Sequence, residues 1–215
     1  MNKCEAALLG MFLGNPALEL NPHEAASKTG FSYGAAYQTL AGLAEKKVLV
    51  RRRVGNANVY GLNFGSEAAV EALMRTAAER RAYIYSRYRL EGVLRGTVDR
   101  VKEELPSAHA IVLFGSVAKG EAGKESDIDL LFILPEDKRL KEQSKLISDI
   151  CSTKAIETGK TVNSLTMSIG EFERMLKGGG RNVVKEIIHG GLPISGAENY
   201  FGLIARCMLW KGSPI

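Results

Sequence analysis

Residues 114–134 read Phe-Gly-Ser-Val-Ala-Lys-Gly-Glu-Ala-Gly-Lys-Glu-Ser-Asp-Ile-Asp-Leu-Leu-Phe-Ile-Leu. The apolar run from Ala110 to Phe114 leads into a Gly-Ser turn. A polar, glycine-containing stretch follows, and Asp127 and Asp129 then open a second apolar run. Side chains alternate faces along a strand, so aspartates at i and i+2 project to the same side. Two carboxylates on one side make a hard, oxygen-rich site suited to Mg²⁺ carrying a phosphate ligand. Backbone N–H groups and a hydroxyl at Gly115-Ser116 are the donors with which proteins commonly hold a triphosphate.

Gly115-Ser116 followed by Asp127-Ile128-Asp129 resembles the nucleotidyltransferase superfamily related to DNA polymerase beta. That signature is Gly-Ser, a spacer of about ten residues, then Asp-x-Asp. The flanking Gly-Ser-x-Ala-x-Gly and Ser-Asp-Ile-Asp-Leu-Leu are similar to its minimal, MNT-type branch, as is the closing segment Leu192-Pro193-Ile194-Ser195-Gly196. The likeness spans residues 96–196. It implies transfer of a nucleoside monophosphate from an NTP, ATP by preference, to an acceptor hydroxyl with release of pyrophosphate. It also implies Mg²⁺ (or Mn²⁺) on Asp127 and Asp129 as metal ligands and catalytic groups. Gly115 and Ser116 would hold the phosphates, Lys119 would add charge nearby, and Ser126 would lie beside the nucleotide. Glu125 and Ser126 also shape the approach to the second strand.

Active members of that superfamily usually carry a third carboxylate on a later strand. Here the strand expected at Thr161–Met167 reads Thr-Val-Asn-Ser-Leu-Thr-Met, without an acid. Asn163 is the nearest polar match, while Glu157 and Glu171 flank the strand outside the expected position. Nucleotide binding is therefore the firmer expectation and transfer the less firm one.

The N-terminal segment follows a different pattern. Apolar positions at helical spacing cover residues 3–13, and Asn15-Pro16 ends that helix. Asn21-Pro22, with Glu24 in the first turn, starts a short second helix that closes at Thr29-Gly30. Ser32 caps a third helix reaching Lys46, with Ala36, Leu40 and Leu43 inward. Strands at 48–54 and 59–63, joined by a turn at Gly55–Asn58, then form a hairpin. Three helices and a hairpin resemble a winged helix-turn-helix. That likeness implies Ser32, Tyr33, Tyr37 and Gln38 towards DNA bases, and Arg51, Arg52, Arg53 and Asn56 on phosphates.

Charge agrees with a polyanion partner. Residues 1–65 carry seven Lys/Arg against four Asp/Glu, over half of the chain's net +5. The alternative for this segment is dimerisation or packing on the catalytic domain, and a homodimer stays open. Cys4, Cys151 and Cys207 are far apart and odd in number, matching a reducing cytoplasm rather than a disulfide framework. The apolar patch Ala6 to Leu13 follows Glu5 and lacks a cleavage site, which argues against a signal peptide. No apolar stretch nears the roughly 20 residues that span a bilayer, so no membrane association is expected.

The expected class is α+β: a winged helix at 1–64, a long connecting helix at 65–95, a nucleotidyltransferase-like mixed sheet flanked by helices at 96–196, and a C-terminal helix and tail at 197–215. Gly96 is expected to break the connecting helix, and helices are expected at 136–155, 169–177 and 182–189. Arg-Tyr interleaving between Arg80 and Arg89 is read as a connector face. His109 and His189 are read as structural, and Gly178-Gly179-Gly180 as a joint rather than a phosphate cradle. Three functions stay open: an Mg²⁺-dependent nucleotidyltransferase with a nucleic-acid-binding module, a DNA-binding transcriptional regulator whose degenerate transferase domain only binds nucleotide, and an antitoxin-like partner of a HEPN-type protein.

Overall fold

The computed structural model describes residues 2–123, 126–135 and 139–210. It is a mixed α and β fold with two separate sheets, and the chain divides into two compact units, Met1–Thr76 with Ile204–Ile215, and Ala77–Leu203. Among the described residues no helix is long and apolar enough to cross a membrane.

The first unit starts with α1 (Lys3–Gly14), where the Asn2 side chain accepts from the Glu5 amide. A two-residue strand, β1 (Glu19–Leu20), precedes α2 (Pro22–Thr29). That helix begins with a reciprocal cap between Asn21 and Glu24. Helix α3 (Tyr33–Glu45) is capped by Ser32 and buries Ala36, Leu40 and Leu43. Strands β2 (Leu49–Val54) and β3 (Ala57–Leu62) pair antiparallel, with β1 added beyond β3. The core joins Leu8, Leu9, Phe12 and Leu13 of α1 to Leu40, Leu43, Leu49, Tyr60 and Leu62. Each such side chain contributes roughly 1.5–3 kcal/mol relative to exposure.

Two expectations change here. The turn is Gly55-Asn56 alone, because Gly55 takes a φ of +58° and lets β3 begin at Ala57. That sign at the first turn position suits a two-residue hairpin. Strand β1 stands where the sequence suggests only a break between helices; Leu20 is buried there and pairs opposite Tyr60.

Helix α4 (Glu67–Tyr88) and α5 (Glu91–Glu104) replace the single helix expected to Arg95. The break falls at Arg89, not Gly96. Arg89 adopts a left-handed φ of +54°, its amide bonds to Ser86 O, and the Leu90 amide reaches back to Tyr85 O. This is a Schellman ending closed by the buried Leu90 instead of by a glycine signal. Gly96 lies inside α5, where an added Cβ would meet Lys154 Cε at 3.4 Å.

Within the second unit, β4 (Ala110–Phe114) leads directly into the short α6 (Gly115–Lys119). Strand β5 (Ile128–Leu134) is buried along its length except at Asp129, as fits a strand covered on both faces. Helix α7 (Leu140–Thr158) returns the chain to β6 (Val162–Ser168), which runs parallel to β5. The expected start of α7 at 136 falls at positions outside the described residues. Ser168 and Glu171 form a capping box at α8 (Ile169–Lys177). Then come α9 (Val183–Ile188), β7 (Leu192–Ser195) and α10 (Ala197–Trp210), the last belonging to the first unit from Ile204 onward. The sheet order is β6-β5-β4-β7, with β4 antiparallel to both neighbours.

Candidate functional site

Backbone register builds the carboxylate site. Phe114 at the end of β4 pairs with Asp129 at the start of β5, and Asp129 pairs in turn with Asn163 of β6. Gly115 follows Phe114 with a φ of +72°, and a Cβ placed on it would lie 2.3 Å from Asp129 Oδ2. The backbone sign favours glycine there, and any side chain would push the Asp129 carboxylate out of its place. The Gly-Ser bend and Asp129 are therefore in contact.

Asp127 is exposed and Asp129 half-buried. Asn163 joins them: its Nδ2 donates to Asp129 Oδ1 at 3.0 Å and, at a longer 3.4 Å, to Asp127 Oδ2. The parallel ladder thus puts Asn163 at the position expected for a third carboxylate. Glu157 and Glu171 are engaged elsewhere. Glu157 accepts from Lys154 at 2.7 Å, and Glu171 Oε2 accepts from the Ser168 amide at 2.9 Å.

The neighbouring residues have identifiable roles. Ser116 O accepts from the Glu121 amide at 2.9 Å, which closes the turn after α6. Lys119 is exposed, and its stem lies over Gly190, whose added Cβ would be 3.4 Å from Lys119 Cγ. Ser126 Oγ accepts from the Gly123 amide at 2.9 Å, so that hydroxyl shapes the loop leading to Asp127. Glu125 lies outside the described residues. Arg80 of α4 donates to Ala118 O at 2.9 Å, a support for α6 beyond the connector face expected of that stretch. A guanidinium suits the carbonyl end of a helix, but no local sequence signal links positions 80 and 118.

Gly178, Gly179 and Gly180 do not cradle an anion. Lys185 Nζ donates to the carbonyls of Gly178 and Gly180, so this loop gathers acceptors around a cation. His189 closes α9, with Nδ1 against Lys185 O. Burial pushes the Cys151 thiol up to about 11 and holds the Tyr200 phenol well above its ordinary range. Neither group supplies a nucleophile or base near neutral pH.

In the first unit, Tyr33 and Tyr37 lie one helical turn apart on the exposed side of α3, with ring centroids 6.2 Å apart and stacked. Tyr33 also meets His23 of α2 at 4.5 Å. Gln38 is exposed beside them, whereas the Ser32 hydroxyl is occupied as the helix cap. Arg51 and Arg53 share one face of β2, and Arg52 points to the other, where it pairs with Glu19. Arg53 Nε donates to Gly55 O at 3.2 Å, and Asn56 is exposed at the hairpin tip. Strand alternation in the sequence could have separated Arg52 from its neighbours; Glu19 and His23 gave no such clue.

A family model described as Nucleotidyltransferase domain matches residues 94–173. That stretch contains Gly115, Ser116, Asp127, Asp129 and Asn163. Among solved structures, one described as "Crystal structure of the toxin-antitoxin with AMP-PNP" resembles this chain at 14% identity with a TM-score of 0.34, covering 54% of this chain and 86% of that one. No curated protein sequence matches the chain.

Proposed function

We propose that the nucleotidyltransferase domain at residues 94–173 transfers a nucleoside monophosphate from an NTP to an acceptor hydroxyl, in the cytoplasm, with Mg²⁺ or Mn²⁺ as cofactor and ATP as the first candidate donor. The observation that carries this reading is the contact between Asp129 and the Gly115 bend, with Asp127 beside it. A phosphate chain held at the bend would lie next to both carboxylates.

The donor set fits a hard divalent ion. Two carboxylates offer oxygens on one face, and the Asn163 amide already bridges them as a partial positive charge would. Asp127 and Asp129 would hold the ion, which when bound supplies positive charge over the phosphates. The Gly115 bend, Ser116, Lys119 and Ser126 would orient the triphosphate. Such orientation accounts for much of the rate in phosphoryl chemistry. The acceptor oxygen bonds to the α-phosphorus as the bond to pyrophosphate breaks, and the acceptor's proton leaves to solvent.

The test is label transfer from α-labelled NTP, expected to vanish in the Asp127→Ala, Asp129→Ala double variant. Undiminished labelling would remove these carboxylates from the mechanism. For the first unit we infer a winged-helix module (residues 1–64) that holds DNA through α3 and the β2–β3 hairpin, joined by residues 65–95 to the transferase. A second reading has its own observation, the amide at Asn163 in place of an acid. In that reading the chain is a transcriptional regulator whose transferase fold senses nucleotide. DNA affinity that shifts on adding NTP, with no label transfer, would favour it.

A further inference from the structure

We infer that Asn163 restricts this site to one divalent cation, the one that arrives with the nucleotide. The inference rests on the carboxylate site proposed above and concerns how many charges that site can hold.

The two aspartates are unequally placed. Asp129 is the more closely held: Oδ1 accepts from Asn163 Nδ2 at 3.0 Å, and Oδ2 lies against the Gly115 bend. Asp127 is exposed and, among the described residues, has only the long 3.4 Å contact to the same amide. A cation already chelated by phosphate oxygens needs few ligands from the protein, and two carboxylates suffice. Asp127 is free to swing towards it while Asp129 stays fixed.

A second cation has no triphosphate to share its charge. Its negative ligands must come from the chain, and the third position supplies none. Asn163 is neutral, and its N–H groups, not its oxygen, point at the carboxylates. To act as a ligand the amide would have to turn over and release Asp129. Glu157 and Glu171 have other partners, Lys154 and the α8 cap. Among the described residues no group of three His, Cys, Asp or Glu is placed to hold a metal. The ordered site is therefore a one-ion nucleotide clasp.

The experiment counts Mn²⁺ per chain by equilibrium dialysis and electron paramagnetic resonance, on full-length protein saturated with α,β-methylene-ATP, whose scissile bond is blocked. Wild type is expected to hold one Mn²⁺ per bound nucleotide. Asn163→Asp is expected to hold two, the second at least about tenfold tighter than in wild type because a charged ligand has been added. Asn163→Ala is expected to stay at one, since it removes the amide without adding charge. Two equally tight ions in wild type would overturn the inference and leave the carboxylate site standing; so would a single ion in folded Asn163→Asp, or two in Asn163→Ala. Failure of wild type to bind both nucleotide and Mn²⁺ would remove the site itself, and the inference with it. The wild-type count decides the matter even where a variant does not fold.

Discussion

Asp127 and Asp129 project to one side of the chain and are drawn together by a single amide, whereas Arg51, Arg52 and Arg53 of β2 are split between two faces. Like charges about 4 Å apart repel by about 1 kcal/mol in water and by more where water is excluded. The second unit offsets that repulsion with a bridging donor, Asn163, beside a bend that favours glycine. The first leaves its arginines in solvent and gives one of them, Arg52, a counter-charge in Glu19. One arrangement is fixed by three strands in register; the other follows from side-chain alternation and exposure. A cluster built the first way can present converging ligands to a small ion, and one built the second way suits an extended polyanion.

Replacing Gly115 attacks the fixed arrangement directly. Gly115→Ala is expected to lower the transfer rate about a hundredfold, because an ångström-scale misplacement of a reacting group costs about that much. The left-handed backbone adds a stability loss of roughly 1–2 kcal/mol, read by denaturant melts. Wild-type nucleotide affinity and transfer in a folded Gly115→Ala would show that pinning Asp129 is unnecessary.

A smaller effect is expected for Arg51→Ser with Arg53→Ser. The slope of log affinity for duplex DNA against log salt should fall by about two units, one for each phosphate no longer neutralised. A fluorescence-anisotropy salt series measures this, and an unchanged slope would take the hairpin out of the interface. Arg52→Ser should change the slope least, by well under one unit, since its guanidinium is already paired. A drop equal to that of Arg51 or Arg53 would mean the Glu19 pair opens on binding and the two faces of β2 are not distinct.

What could be read from the chain follows the range of the interactions. The Gly-Ser turn, the paired aspartates and the buried run of β5 are local and periodic, so alternation alone places them. Asn163 was reachable because a parallel strand after a crossover helix brings a corresponding residue alongside Asp129. Strand β1 was not reachable, since two residues carry no period. The break at Arg89 was hidden because arginine stands where glycine usually marks a helix end. The same device ends α3, where Lys47 has a φ of +60° and the Val48 amide reaches Leu43 O. Pairings such as Glu19 with Arg52, and Arg80 with Ala118, join residues more than thirty positions apart and leave no local trace.

Strand β6 forms one border of its sheet, bonded among the described residues to β5 alone. Its starting point is set by the short tract Gly159-Lys160-Thr161 after α7. A slip of β6 by one residue in either direction would place Val162 or Ser164 opposite Asp129 and turn the strand's buried side chains to the other face. The register of β6 thus decides which side chain stands beside Asp129, without any change to either aspartate.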